Sequence, residues 1–275
     1  MTDFEKVIRF LENKKSRDNL SLPDADLRNT NLVGLDLKGS DLRGTDFSHA
    51  DLQNVNLEQS NLKGANFEGA NLSGAKLDSA FLYATNMKNA NMSGASFIGA
   101  RLTGVNLSYA ILLGCDFSWA KLTNSCCRNN QVNNTNFIKA NLSRSDFSGS
   151  NLSNSNLSKA DLSFANFSNI IINNTNFTEA NLEYSNFKES SGAFSDFTKA
   201  YLKSTLLSNA QLSGAVFENA RLIHTRLYDT NLTHAKLTGV DFSGAHIENT
   251  RLFGADLTGA TFNEYFDIEY LKTLK

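Results

Sequence analysis

The chain of 275 residues carries 26 basic and 28 acidic side chains, and no segment of it is a strongly basic or acidic block. This balance argues against a nucleic-acid partner, because a phosphate-binding surface needs clustered Lys and Arg. The N-terminus lacks the apolar core of a signal peptide and no apolar run reaches transmembrane length, so we expect a cytoplasmic protein without a membrane partner.

A capping helix is predicted at the N-terminus, within residues 1–19. Thr2 and Glu5 have the spacing of a capping box, and apolar residues follow at helical spacing. Pro23, the only proline, marks the entry into the next segment.

Residues 20–263 repeat in units of five. From Leu22 to Phe262 an apolar residue recurs at every fifth position without an insertion, and Leu, Phe, Met, Ile or Val occupies 47 of these 49 central sites. A small residue stands two positions earlier in most repeats, and Asn or Asp often stands between the two. A period of five fits neither a helix nor a strand, so it predicts a stacked-repeat architecture.

Glycine indicates a turn in each repeat. Sixteen of the 17 glycines stand two residues after a central site, where they supply the positive φ that a backbone corner needs. Each pentapeptide is therefore predicted to be a short extended segment that ends in a corner. Because side chains alternate along such a segment, the central residue and the small residue before it face inward, and the others face water.

The phenylalanines indicate how many corners complete one coil. Thirteen of them occupy central sites, eight pairs of these are 20 residues apart, and none is 15 apart. We therefore predict a four-sided coil of 20 residues, about 12 coils in all, with a length of about 58 Å at roughly 4.8 Å per coil. Eleven of the thirteen fall in two columns, on opposite walls of a dry core that leaves no room for a ligand or cofactor.

Two repeats break the pattern. Gly192 leaves a hole in the wall that Phe194 could fill by turning inward, and the repeat of Cys127 is followed by an inward Asn130, which would need hydrogen-bond partners. A tolerated irregularity is the simpler interpretation of both. Apolar residues within 264–275 predict a short C-terminal cap over the edge of the last coil.

The motif A(D/N)LXX, seen as Ala65-Asn66-Phe67, Ala70-Asn71-Leu72 and Ala255-Asp256-Leu257, resembles the pentapeptide repeat proteins. The resemblance covers about 240 of the 275 residues. It implies an all-β fold, a right-handed four-sided parallel β-helix. It also implies a non-enzymatic role, since similar single-domain proteins are abundant in cyanobacteria and some act as cytoplasmic regulators through protein contacts.

Catalytic motifs are missing from the sequence. The four histidines fall on different phases of the repeat, and no cluster of His, Cys and carboxylate residues has ligand spacing, so we expect no catalytic, cofactor or metal site. The three cysteines, an odd number without metal-type spacing, are interpreted as reduced thiols. A redox sensor or enzyme that uses Cys126 is the alternative.

Outward apolar residues that lie together mark a partner surface, and Trp and Tyr are common anchors of such surfaces. The main candidate, the Trp119 patch, consists of Ile98, Tyr109, Ile111, Leu113, Trp119 and Ile138. A second candidate is one corner column with a spacing of 20 residues: Arg144, Phe164 and Tyr184. Scattered surface residues or self-association contacts are the alternative interpretation of both.

Two functions fit these observations. The first is a rigid scaffold that binds an unidentified cytosolic protein, as a monomer or a homodimer. The second is a DNA mimic that protects a type II topoisomerase (gyrase), as the fluoroquinolone-resistance branch of the family does. A mimic requires a strongly negative surface, whereas residues 61–200 carry 11 basic and 9 acidic side chains.

Overall fold

The computed structural model describes residues 1–13 and 19–263, which divide into two compact units between Asn136 and Phe137. One helix, α1, spans Asp3–Asn13. The rest of the described chain consists of turns and single bridging residues, without a longer strand. The C-terminal cap expected within residues 264–275 lies outside the described residues.

The bridges define a parallel register of 20 residues in each unit. They run from Ser21–Asp41 to Asp116–Asn136 in the first unit and from Asn141–Asp161 to Asp241–Thr261 in the second. A repeat between two coils donates two backbone hydrogen bonds to the next coil, from its central residue and its second turn residue, and one to the preceding coil, from the residue before the central one. The predicted 20-residue coil is confirmed, and the fold is of the β-helix type.

A two-residue turn follows each central residue, four times in every 20 residues. In one example the N–H of Ala65 donates to the carbonyl of Leu62 at 3.0 Å. The second turn residue has a positive φ in every repeat from Asp24 to Gly259, as a type II turn requires. The prediction from glycine is confirmed, but many non-glycine residues adopt the same conformation, including Phe164 at 59°.

The core consists of the central residues and the small residues two positions before them, which are buried along both units as predicted. Phenylalanines one coil apart stack, as Phe177 and Phe197 do with ring centroids 4.8 Å apart and planes 3° apart. The two phenylalanine columns also meet edge to face, as in the Phe187–Phe197 pair at 6.4 Å and 83°. Stacking within columns and edge contacts between them thus form the aromatic part of a core whose other side chains are mainly Leu and Ala.

Helix α1 begins at the predicted capping box. The Thr2 N–H donates to Glu5 Oε2 at 2.7 Å, and the Glu5 N–H donates to Thr2 Oγ1 at 3.2 Å. Val7 is fully buried. Asp3 Oδ2 accepts the N–H of Asp26, at 2.9 Å. That N–H lies in the first coil, where no preceding coil offers a carbonyl, so the helix satisfies an open edge of the β-helix.

The two irregular repeats keep the register. The prediction that Phe194 turns inward is wrong, because its side chain is 68% exposed and its ring lies over Gly214. Ile172 and Leu212, from the neighbouring coils, close over the space beside Gly192 instead. Asn130 is buried and its Oδ1 accepts the N–H of Ala110 at 3.0 Å, which supplies one of the partners that the sequence required.

Candidate protein-interaction surface

The Trp119 patch has its two largest members in the first unit. Trp119 and Tyr109 occupy corners with φ of 63° and 61°, and both side chains are more than half exposed. Ten residues, half of a 20-residue coil, separate them along the chain. The register therefore does not stack them in one column.

The smaller members of the patch have polar neighbours. Ile111 bridges to Asn91 and Gln131, and the N–H of Ile98 donates to Asp78 Oδ1 at 2.9 Å. Ile98 and Leu113 are exposed, Ile111 is half-buried, and Ile138 is half-buried in the second unit. Within the first unit, polar residues interrupt the columns of these apolar side chains.

The second candidate, here called the corner ladder, consists of Arg144, Phe164 and Tyr184 in the second unit. The rings of Phe164 and Tyr184 stack with centroids 4.9 Å apart and planes 9° apart. The Arg144 guanidinium carbon lies 4.9 Å from the centroid of the Phe164 ring. The structure therefore brings these three residues together, in a cation–π contact followed by an aromatic stack.

The corner ladder combines exposure with an unusual backbone. Phe164 and Tyr184 are each about half exposed, and the three residues have φ between 58° and 59°. Bulky side chains are uncommon at positive φ, where glycine, Asn and Asp are favoured. Three large side chains, at the same corner of three consecutive coils, thus form an ordered, solvent-facing surface.

A depression of about 370 Å³ continues from the ladder within the second unit. This feature, here called the His224 depression, is lined by Tyr184, Ser204, Leu206, His224, Arg226 and His246. The sequence gives no direct sign that His224 and His246 lie together, because they occupy different phases of the repeat. The register does so, since 22 residues separate them and a coil has 20. Comparing residues spaced by one coil plus two would have found the pair.

The repeated Asn and Asp residues have a structural role. Asn66 Oδ1 accepts the N–H of Glu68 at 3.2 Å and closes the turn, while its amide donates to Asp46 Oδ1 at 3.0 Å in the preceding coil. The described residues contain no group of three or more His, Cys, Asp and Glu that could hold a metal ion. In the same part of the chain, no helix has the length and apolar character needed to cross a membrane.

The family models describe this repeat along most of the chain. The model for pentapeptide repeats matches residues 21–59, 50–89, 65–104, 85–124, 100–137 and 225–263. The model for a pentapeptide repeat region matches residues 140–217. No curated protein sequence matches the chain.

Solved structures of pentapeptide repeat proteins are similar to this chain. HetL, involved in heterocyst differentiation regulation in the cyanobacterium Nostoc sp. strain PCC 7120, is 23% identical, over 94% of this chain and 98% of its own, with a TM-score of 0.33. Alr5209 from Nostoc PCC 7120 is 30% identical, over 37% of this chain and 78% of its own, also with a TM-score of 0.33.

QnrB1, a plasmid-mediated fluoroquinolone resistance protein, is 21% identical, over 90% of this chain and 91% of its own, with a TM-score of 0.27. Superpositions this loose do not transfer a role. The family models, in contrast, match well over half of the sequence. The chain therefore belongs to the pentapeptide repeat family, with its right-handed β-helix type of fold.

Proposed function

We propose that this protein is a non-enzymatic scaffold in the cytoplasm that binds a protein partner through the corner ladder. The family is in general structural, which supports a role without catalysis. In the proposed architecture each coil is a quadrilateral, about 12 coils in all, and outward positions present side chains without disturbing the core. The protein acts as a monomer or homodimer, and its partner is a cytosolic protein rather than a nucleic acid.

The observation that carries this proposal is the stacking within the corner ladder. Phe164 and Tyr184 stack at 4.9 Å while each remains about half exposed, so rigid aromatic area faces solvent at little further entropic cost on binding. Arg and aromatic residues are also the commonest energetic anchors of protein interfaces. The ladder takes precedence over the Trp119 patch, whose columns are interrupted by polar residues.

Capture of partners from lysate of the source organism tests the proposal. The bait is the wild-type protein or a ladder variant with Arg144→Gly, Phe164→Gly and Tyr184→Gly, whose fold is checked by circular dichroism. Glycine suits these positions because each has a positive φ. Phe194→Gly is the matched control, since Phe194 is also an exposed aromatic corner residue in the same unit.

We expect a protein that binds the wild type and the Phe194→Gly variant but not the ladder variant. An Ile98→Ser, Trp119→Ser, Ile138→Ser variant tests the other surface. If this variant fails to bind the protein while the ladder variant retains it, the Trp119 patch is the binding surface. Retention by both variants would contradict the proposal. Recovery of gyrase as the captured protein would favour the alternative of topoisomerase protection.

A further inference from the structure

Two short columns of side chains form the walls of the His224 depression. Tyr184, Ser204 and His224 follow one another at intervals of one coil, on corners with φ of 58°, 57° and 55°. Leu206, Arg226 and His246 form the second column, joined by parallel bridges. The volume of about 370 Å³ is within the range of roughly 300–1,000 Å³ typical of small-ligand sites.

The lining of the depression is rich in hydrogen-bond donors and contains no carboxylate. Among the residues that the structure describes, none forms an ion pair with Arg226, and none hydrogen-bonds to the side chains of Tyr184, Ser204, His224 or His246. The guanidinium is charged at every physiological pH. Hydroxyl, imidazole and guanidinium groups, each of which can donate a hydrogen bond, thus surround a space that no carboxylate lines.

Neighbouring groups lie against three of these side chains. The ring of Tyr184 stacks on Phe164. The imidazole of His224 occupies the space over Gly244, where a Cβ would collide with it. The ring of His246 stacks on Tyr228 with centroids 5.8 Å apart and planes 27° apart. Side chains that are ordered before binding lower the entropic cost of holding a ligand.

We infer that the His224 depression binds the oxyanion of phosphate or of a phosphate monoester. Arg226 supplies a permanent charge and a forked pair of donors, and His224, His246, Ser204 and Tyr184 supply further donors from both walls. A tetrahedral oxyanion offers acceptors toward both walls at once, whereas a planar carboxylate offers two oxygens in one plane. Leu206 and the Tyr184 ring provide apolar contact for an organic group on a monoester.

This site overlaps the proposed protein interface at Tyr184 but does not rest on it, because Arg226, His224 and His246 lie outside the corner ladder. The same oxyanion could belong to free inorganic phosphate or to a phosphate monoester. Two probes distinguish these ligands. Phenyl phosphate tests for an organic group, because its ring can contact Tyr184 and Leu206, and inorganic phosphate tests for the oxyanion itself.

The experiment is an NMR titration of the full chain with each probe, at constant pH and constant ionic strength set with chloride. The imidazole signals are assigned with His224→Gln and His246→Gln variants. His49 and His234 are internal controls, since neither lines the depression. Arg226→Gln removes the central charge, and Arg251→Gln, which alters another exposed arginine of the same unit, is the matched control.

We expect saturable shifts of the His224 and His246 signals, with affinity about tenfold lower in Arg226→Gln and unchanged in Arg251→Gln, as for loss of one charge-assisted hydrogen bond. Tighter binding of phenyl phosphate than of inorganic phosphate would assign an ester as the ligand, and equal binding would assign the free ion. The inference is overturned if all four imidazoles shift alike, or if both arginine variants lose the same affinity.

Discussion

Individual corner residues combine a backbone constraint with a surface role. Every described corner has a positive φ, a conformation that costs a bulky residue on the order of 1 kcal/mol. In Phe164 and Tyr184 the stacked rings offset part of that cost, since aromatic pairs contribute about 0.5–1.5 kcal/mol. The two effects oppose each other, so these residues contribute little to net stability.

Replacement of the ladder aromatics by glycine should therefore leave the fold intact. We expect Phe164→Gly to change the free energy of unfolding by less than about 1 kcal/mol, because relief of backbone strain balances the lost stacking. Urea denaturation followed by circular dichroism measures the change. Phe194→Gly, at another aromatic corner, is the control, and a loss above about 2 kcal/mol for Phe164→Gly alone would show that the ladder is structural.

The cysteines should differ in reactivity according to burial. Cys115 and Cys127 are buried, whereas Cys126 is half-buried with its Sγ 3.0 Å from Ser108 Oγ. At pH 8 we expect iodoacetamide to alkylate Cys126 in the folded protein and the other two only after denaturation, with mass spectrometry as the readout. Rapid labelling of Cys115 in the folded protein would contradict the described packing.

Burial also makes stability depend on pH through Cys115. Burial raises the pKa of this thiol from 9.0 to about 12. The unfolded chain therefore loses the proton first as the pH rises, and stability falls between pH 9 and 12. A Cys115→Ser variant should lose less stability over this range than the wild type, as thermal denaturation at each pH will measure.

At the scale of elements, helix α1 protects an edge that the repeat leaves open. Asp3 is the contact, since its Oδ2 accepts the Asp26 N–H while its Oδ1 accepts Lys6 Nζ at 2.6 Å. Both hydrogen bonds lower the pKa of the Asp3 carboxyl, and the one from Lys6 has the larger effect. The contribution of the Asp3 carboxylate to folding stability is fully present above its ordinary pKa, and it is lost as the pH falls through the lowered pKa.

Removal of that carboxylate should expose the edge. In Asp3→Ala we expect the Asp26 amide to exchange with solvent at least about tenfold faster, because it loses its acceptor. Hydrogen exchange followed by NMR measures this rate, and Glu12→Ala, an exposed carboxylate of the same helix, is the control. Equal protection in the wild type and Asp3→Ala would show that the helix does not cap the coil.

The phenylalanine columns should carry much of the stability of the second unit. Phe197 is fully buried between Phe177 and Phe217 and meets Phe187 edge to face. We expect Phe197→Ala to cost about 3–5 kcal/mol through lost transfer energy and a cavity that regular coils cannot close. A cost below about 1 kcal/mol in urea denaturation would contradict the tight packing, with Phe164→Gly as the surface comparison.

The sequence predicted those features that the repeat enforces and missed those that depend on local packing. The strict spacing of Phe and Gly was sufficient to predict the coil length, which residues face inward and the conformation of the corners. It also predicted that the three residues of the corner ladder lie in one column, because residues 20 apart must stack. The direction of Phe194 was missed, since collapse of Ile172 and Leu212 beside Gly192 is a packing outcome without a periodic signal.

At the scale of the molecule, the repeat separates stability from recognition. Apart from Ser108 and Ser208, the buried residues of the repeat occupy two phases of each pentapeptide, so outward phases can change without loss of the core. The corner ladder and the His224 depression both use this freedom in the second unit. The near-balance of 26 basic and 28 acidic residues does not favour mimicry of DNA.

The corner ladder is the surface that we propose contacts a protein partner. Photo-crosslinking in cells of the source organism tests it most directly, with p-benzoyl-phenylalanine placed at position 164 or, as the control, at position 194. We predict one dominant crosslinked protein from position 164 that is absent from position 194. Crosslinking from neither position, or equal crosslinking of the same proteins from both, would contradict the claim.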